Sequence, residues 1–303
     1  KGAAAIIAQH NPRKLSQVVL VENSRTALAH SAAAFYSYPS NELKLIGITG
    51  TNGKTTVTWL LESIFKACGY ATGVIGTVDI RYAGKTMDNP YTTPDAIALQ
   101  KTLRDMKTAG ITHVIMEVSS HGLELNRVDG CCFAAGVFTN LTQDHLDFHP
   151  DMDAYFNSKK RFFTQFLGSG SPANAPAVLN LDDPKGQILF SSLSGTTIGV
   201  SARQPAHVYS KSVIDTLSGL SGILICNTDA HPFSSPLTGT FNLENILCAA
   251  GAAYALGVSI QTIAAGIENC GSVPGRLEKI PNPLERHLFV DYAHTPDALE
   301  SVL

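Results

Sequence analysis

The chain has 303 residues, 44% of them hydrophobic, with a formal net charge of −3 and a pI near 6.4. That length suits two domains or one large one with a well-buried core. The mild negative balance excludes the basic footprint of a nucleic-acid or anionic-membrane binder, and no apolar run reaches the roughly eighteen residues of a membrane span. Six cysteines (Cys68, Cys131, Cys132, Cys226, Cys248 and Cys270) form no CxxC and no framework spacing, so they read as free thiols of a cytoplasmic protein. The chain has no initiator Met and no signal peptide. It opens mid-pattern at Lys1 and stops mid-helix at Leu303, which reads as a fragment.

Ala3 to Ala8 and Val18 to Val21 are predicted as short strands, and Asn23-Ser24 as the N-cap of a helix from Arg25 to about Tyr36. Pro39-Ser40-Asn41-Glu42 is a polar linker, which ends a first unit at 1–42. The second unit, 43–273, opens on the stretch around which the chain is organised. Leu45, Ile46 and Ile48 read as a buried parallel strand, and Gly50-Thr51-Asn52-Gly53-Lys54-Thr55-Thr56 follows. Val57, Leu60, Leu61, Ile64 and Phe65 then recur at helix spacing, to about Gly69. Strand, glycine loop and helix make a phosphate cradle: backbone N–H groups and the helix dipole favour an anion. Lys54 would reach the terminal phosphates and the Thr55 hydroxyl would ligate Mg²⁺. Ile48 stands where the strict G-x-x-x-x-G-K-[ST] pattern has its first glycine, so the loop is a shorter form. A bare glycine turn before a core helix is the alternative.

Further on, a strand (Ala71–Ile75), a polar loop to Thr93 and a helix from Pro94 to Ala109 are predicted, with Pro94 in the first turn. Strands His113–Val118 and Ala134–Phe138, a helix Asp153–Phe166 and a strand Ala177–Leu181 complete a βαβ alternation, which argues a parallel sheet. Thr196 to Leu237 changes to short alternating runs, an antiparallel patch, before helices Asn242–Leu256 and Ser259–Glu268. Pro274-Gly275-Arg276 marks another boundary, and 274–303, with strand Leu288–Tyr292 and helix Pro296–Leu303, starts a further α/β unit. The expected fold class is α/β: a central P-loop parallel-sheet domain with a small antiparallel patch, flanked by partial α/β domains.

Ligands of a parallel sheet collect at the carboxyl ends of its strands. Glu117 closes one strand and is either a core-edge carboxylate or an oxygen ligand for Mg²⁺. His145, beside Asp144, is either structural or a ligand. Lys159 and Lys160 read by spacing as a solvated face, since an ammonium cannot ligate a cation. Asn180-x-Asp182-Asp183 is a turn or a nucleotide contact, and Asn242 and Asn245 either cap a helix or read an adenine edge.

The Gly50–Thr56 loop resembles that of the Mur ligases, ATP-dependent amide-forming enzymes of peptidoglycan synthesis. Thr92-Thr93-Pro94, Glu117-Val-Ser-Ser-His-Gly122, Asn140-Leu-Thr-Gln-Asp-His-Leu-Asp147, Gly239-Thr-Phe-Asn-Leu-Glu-Asn245, Pro274-Gly-Arg276 and Asp291-Tyr-Ala-His-Thr-Pro296 resemble the tripeptide-forming branch of that family, in order along nearly the whole chain. The resemblance implies a monomeric ligase that uses ATP and two Mg²⁺ sites to add a diamino acid to UDP-MurNAc-L-Ala-D-Glu through an acyl phosphate. Lys54 and Thr55 would hold phosphates and metal, with Glu117 and His145 as further metal ligands. Lys159 would act as a carbamate, whose two anionic oxygens make a lysine a possible metal ligand. Lys54, His145 and Lys159 would be the catalytic set. Thr92, Thr93, Ser119 and Arg127 would hold the muramoyl-peptide nucleotide, Asn242 and Asn245 the adenine, Arg276 the phosphates and Asp291 the ribose.

Leu125 stands where some members have a polar contact, and Tyr91 where an Asn is frequent. The family's uridine-binding segment would precede Lys1 and its amino-acid-reading motif would follow Leu303, so these 303 residues alone are expected not to turn over. The alternatives are a related ligase of folylpolyglutamate or cyanophycin synthetase type, and a P-loop nucleotide-binding protein that makes no amide. The Gly-Lys-Thr-Thr loop and Thr92-Thr93-Pro94 speak against the former, and a carbamate on Lys159 would speak against the latter.

Overall fold

The computed structural model describes residues 3–167, 175–283 and 286–303. Parallel strands β1 (Ile6–Ala8) and β2 (Val18–Leu20) precede helix α1 (Ser24–Phe35). The expected Asn23 caps α1, its side chain accepting from the N–H groups of Arg25 and Thr26. A 3₁₀ turn over Pro39–Glu42 leads to β3 (Lys44–Thr49) and α2 (Lys54–Ala67). Next come β4 (Thr72–Ile75), β5 (Ile80–Tyr82), β6 (Lys85–Met87), α3 (Ala96–Thr108), β7 (His113–Glu117) and the short α4 (Ser120–Glu124). The alternation continues through β8 (Ala135–Phe138), α5 (Met152–Arg161), β9 (Ala177–Asn180), α6 (Pro184–Ser192) and β10 (Thr197–Ser201). A meander of β11 (Val208–Thr216), β12 (Gly219–Cys226) and β13 (Asp229–Ser235) precedes α7 (Thr240–Ala255) and α8 (Ile260–Glu268). Last are β14 (Glu278–Lys279), antiparallel to β15 (Phe289–Val290), and α9 (Pro296–Val302).

Among the described residues, one sheet of 11 strands organises the fold, in the order β13-β12-β11-β10-β9-β8-β3-β7-β4-β5-β6. Its middle, from β11 to β4, is parallel, as the βαβ pattern requires. Alternate residues feed two cores. Ile46, Ile48, Ile115, Val137 and Val178 face the layer of α2, α7 and α8, while Leu45, Val114, Met116, Phe138 and Leu179 face the layer of α3, α5 and α6. Strand β3 lies between β7 and β8, so the chain leaves it to one side and returns on the other. That reversal of order opens a crevice at the carboxyl end of β3, where the phosphate loop begins.

Several local expectations need correction. The polar loop before Thr93 contains the β5–β6 hairpin: Ala83 (φ 47°) and Gly84 (φ 75°) form its two-residue left-handed turn. Pro94 lies ahead of the α3 cap, because Asp95 accepts from Ile97 and Ala98 N–H. Helix α6 was not expected; Asp183 caps it and Pro184 occupies its first turn. The antiparallel patch exists as β11–β13, but it extends the main sheet, and β10 at its start runs parallel to its neighbours. The helix expected through Phe166 stops being α-helical at Arg161 and closes in a π turn, Phe162–Phe166. Phe162 there packs over Gly47 of β3 and Gly136 of β8, where any Cβ would overlap its ring. Among the described residues, no helix is long and apolar enough to cross a membrane.

Candidate active site

The loop after β3 can be built only with its glycines. Gly50 (φ 148°) and Gly53 (φ 85°) are both left-handed, and a Cβ would overlap Thr139 Oγ1 at the first and the Asn245 amide at the second. The segment after β8 fixes the loop from outside. Thr51 N–H donates to Asn140 O (2.9 Å), Asn52 N–H to Asn140 Oδ1 (2.8 Å), and the Thr139 hydroxyl to Asn52 O (2.6 Å). Lys54 opens α2 and folds back, its ammonium donating to Gly50 O (3.0 Å) and Thr51 O (2.7 Å). Burial lowers its pKa, with the Glu117 charge opposing.

Glu117, 1% exposed at the end of β7, is held by hydroxyl and amide donors. Oε1 accepts from Thr55 Oγ1 (3.0 Å) and Thr77 N–H (2.9 Å), and Oε2 from Thr77 Oγ1 (2.9 Å). Thr77 in turn contacts Thr92 Oγ1 at 3.0 Å. Thr93 is fully buried; its hydroxyl donates to Glu117 O (2.9 Å), accepts Ser119 N–H (2.9 Å) and meets Ser119 Oγ at 3.1 Å. Ser119 caps α4 by accepting Gly122 N–H (3.0 Å). Arg127 donates to Thr93 O (2.7 Å) and lies over the Tyr91 ring at 4.6 Å, so the unusual Tyr91 has a partner in the site.

The opposite side is built by α5 and the loop after β8. Lys159, 1% exposed, donates to Gly50 O at 2.8 Å and stands 4.3 Å over the Tyr155 ring. The solvated-face reading of Lys159 by spacing is therefore overturned. Burial, and then the neighbouring Lys54 charge, pull its amine well below the ordinary value. Tyr155, one turn earlier, meets Thr51 Oγ1 at 3.1 Å, and burial pushes its phenol up. His145 takes a left-handed backbone (φ 54°) and has Nε2 3.5 Å from Asp144 Oδ2. His121 packs edge-on to it at 4.8 Å, with His149 6.0 Å from His121. Burial lowers the pKa of all three rings.

A cavity of about 580 Å³ lies above the loop. On its wall are the loop from Thr51 to Thr56, Thr92, Glu117, Ser119, His145, Asn245, Arg276 and Asp291. Thr93, Arg127, Lys159 and Asn242 stand outside that wall. Asn242 donates to Thr238 O (2.7 Å) and accepts from Asn245 Nδ2 (3.2 Å), which ties the two amides together at the start of α7. Arg276 Nη2 donates to Thr55 Oγ1 at 3.4 Å, and its guanidinium lies over Tyr292 at 5.2 Å. Asp291 accepts from Leu277 N–H and Ala293 N–H, both at 2.6 Å. Asp182 accepts from Ser201 Oγ and Ala202 N–H and Asn180 Oδ1 from Asp182 N–H, so Asn180-x-Asp182-Asp183 makes turns, with Asp182 and Asp183 on the cavity wall.

Sequence reasoning missed Thr77 and Tyr155. Thr77 carries no periodic signal, whereas Tyr155 sits four residues before Lys159, the spacing that puts both on one helix face. Among the described residues, no group of three or more His, Cys, Asp or Glu side chains is arranged to hold a metal. The oxygen donors that suit Mg²⁺ are a mixed pair, Thr55 Oγ1 and the Glu117 carboxylate.

The chain matches the Mur ligase middle domain over residues 48–253. Over its whole length it is 44% identical to UDP-N-acetylmuramoyl-L-alanyl-D-glutamate--2,6-diaminopimelate ligase of Geobacter metallireducens, and 42% identical to the protein of that name from Geobacillus kaustophilus. It covers 60% and 62% of them, so it spans about three fifths of the length of these curated relatives. A solved structure of a UDP-N-acetylmuramoyl-L-alanyl-D-glutamate--2,6-diaminopimelate ligase superimposes with a TM-score of 0.84 at 31% identity, covering 99% of this chain and 61% of that one. Folylpolyglutamate synthase of Mycobacterium tuberculosis shares the fold, with a TM-score of 0.73 at 17% identity over 92% of this chain and 69% of that one.

Proposed function

The chain belongs to the Mur ligase family, and from that premise we propose that it holds the ATP-binding core of a peptidoglycan ligase that joins a diamino acid to UDP-MurNAc-L-Ala-D-Glu. The names of its 44% and 42% identical relatives favour 2,6-diaminopimelate as that acid. Residues 43–273 are the central ATP domain, 1–42 the end of a UDP-substrate domain and 274–303 the start of a C-terminal domain. The observation that carries the reading is the meeting of a phosphate loop, Glu117, His145, Lys159, Thr92 and Ser119 around the end of one strand.

In this reading the substrate carboxylate attacks the γ-phosphorus of ATP, the bond to ADP breaks, and an acyl phosphate forms. The diaminopimelate amine then attacks the acyl carbon, phosphate leaves, and the amine sheds a proton. Both partners of the first step are anions, so the protein's task is alignment and neutralisation. The N–H groups of Gly53, Lys54 and Thr55, at the N-terminus of α2, hold the triphosphate, and Lys54 and Arg276 offset its charge. Thr92, Ser119 and Arg127 seat the muramoyl peptide, with Thr93 bracing them from below. Asn245 borders the base, backed by Asn242, and Asp291 faces the ribose.

Thr55 and Glu117 would hold one Mg²⁺, which when bound would draw charge from the phosphate oxygens. His145 and Lys159 would hold the other. The depressed pKa of Lys159 supports its carbamate, because the neutral amine is the form that adds CO₂, releasing a proton. Proximity to the Lys54 ammonium favours the resulting anion.

The test is ligation by the full-length protein with ATP, UDP-MurNAc-L-Ala-D-Glu and either meso-diaminopimelate or lysine. Phosphate release and amide product are expected only with both acceptor and donor present, and with diaminopimelate preferred. Glutamate added to a folate, or phosphate released regardless of the muramoyl peptide, would overturn the reading. Carbon-13 bicarbonate should give a carbamate resonance that Lys159→Met abolishes.

A further inference from the structure

We propose that Thr77 is a positioning residue that couples the muramoyl-peptide subsite to the nucleotide–metal subsite through a one-way chain of hydroxyl groups. The inference rests on the ligase reading above. Thr77 spends both of its donors on Glu117, the backbone N–H on Oε1 (2.9 Å) and the hydroxyl on Oε2 (2.9 Å). A hydroxyl has one proton, so the 3.0 Å contact with Thr92 can be a hydrogen bond only if Thr92 donates. The chain therefore runs from Thr92 to Thr77 to Glu117, and on the other carboxylate oxygen Thr55 donates at 3.0 Å.

The corner that presents Thr77 is fixed. Gly76 N–H donates to Asp79 O (3.0 Å), Asn89 Nδ2 donates to Gly76 O (2.8 Å), and a Cβ on Gly76 would press on Glu117 Oε1. Thr77 itself is exposed on the cavity wall, so packing alone does not demand a hydroxyl there.

Direction gives the chain a consequence. A hydroxyl that accepts a hydrogen bond becomes a stronger donor. While Thr92 donates to Thr77, the Thr77 hydroxyl screens the Glu117 carboxylate more strongly. An anionic or carbonyl group of the muramoyl peptide that takes the Thr92 proton weakens that screening and leaves Glu117 the better ligand for a divalent cation. Occupation of one subsite thus tightens the other, and the effect is reciprocal. A change of roughly 10–30% in a hydrogen bond to a charged group amounts to about 1.3- to fivefold in affinity.

The test measures, by calorimetry on the full-length protein, the dissociation constant of Mg²⁺ plus a non-hydrolysable ATP analogue, with and without UDP-MurNAc-L-Ala-D-Glu. The wild type should show about 1.3- to fivefold tightening, Thr77→Val none, and Thr77→Ser the wild-type ratio, since serine keeps the hydroxyl. In kinetics, the wild-type nucleotide KM should fall as the muramoyl peptide saturates, whereas that of Thr77→Val should be no higher than the saturated wild-type value and should not change with the peptide. Thermal midpoints check folding, and Thr77→Ala reads the same loss if valine disturbs the corner. Tightening that survives in folded Thr77→Val or Thr77→Ala, or a wild type with no tightening, overturns the coupling while a ligating wild type leaves the ligase reading intact. A wild type that fails to ligate overturns both.

Discussion

The two sides of the phosphate loop are made differently. On the β7 side, Glu117 is a buried anion surrounded by neutral donors, each at 2.9 or 3.0 Å; Thr92 contacts one of them, Thr77, and Thr93, itself met by Ser119, holds the Glu117 main-chain carbonyl. On the α5 side, Lys159 is a buried amine with one carbonyl and one ring face, beside a second lysine and three histidines whose charged forms burial disfavours. The first side is complete as folded. The second holds groups away from their ordinary protonation, and so is where added charge, from a cation or a carbamate, has most to change.

Substitutions at the two sides should have opposite effects on stability. Glu117→Ala would leave Thr55 and Thr77 without their acceptor, costing about 1–3 kcal/mol in urea unfolding, and would cut kcat/KM by about a hundredfold or more in the ligation assay. Lys159→Met should abolish ligation yet raise the thermal midpoint, by about 2–4 °C at neutral pH. The sign follows from linkage. The folded amine has a lowered pKa, so between that value and lysine's ordinary one the unfolded chain binds the extra proton and stability rises with pH. The gain from Lys159→Met should therefore shrink toward alkaline pH, and a gain that grows would break the contrast. The smallest effect concerns His121, His145 and His149. Their folded pKa values lie below the ordinary 6.5, so wild-type stability should fall as pH drops through that range, and Gln replacements should flatten the fall.

What the sequence made legible follows the same division. Gly53-Lys54-Thr55 and Glu117 were readable because their backbone demands and strand-end positions leave a pattern in the chain. The sheet was readable for the same reason, since buried parallel strands are unbroken apolar runs. Lys159 was misread from spacing alone, because its periodicity is that of a polar face and only the fold places Gly50 O and Tyr155 around it. The β5–β6 hairpin hid because its turn is Ala83-Gly84 among polar residues, rather than the stronger Asn-Gly. Helix α6 hid because Asp183-Pro184, its cap and first turn, stood beside a possible nucleotide contact. Thr77 left no trace, since a threonine in an irregular corner looks like any other.

The carbonyl of Gly50 accepts from two lysine side chains at once, Lys54 at 3.0 Å and Lys159 at 2.8 Å. An oxygen with two lone pairs is saturated by that pair. Turning the Lys159 amine into an anion would withdraw one of the claimants and set an opposite charge beside the other. The lysine reserved for the triphosphate would then register, without moving its own backbone, whether its neighbour had been converted.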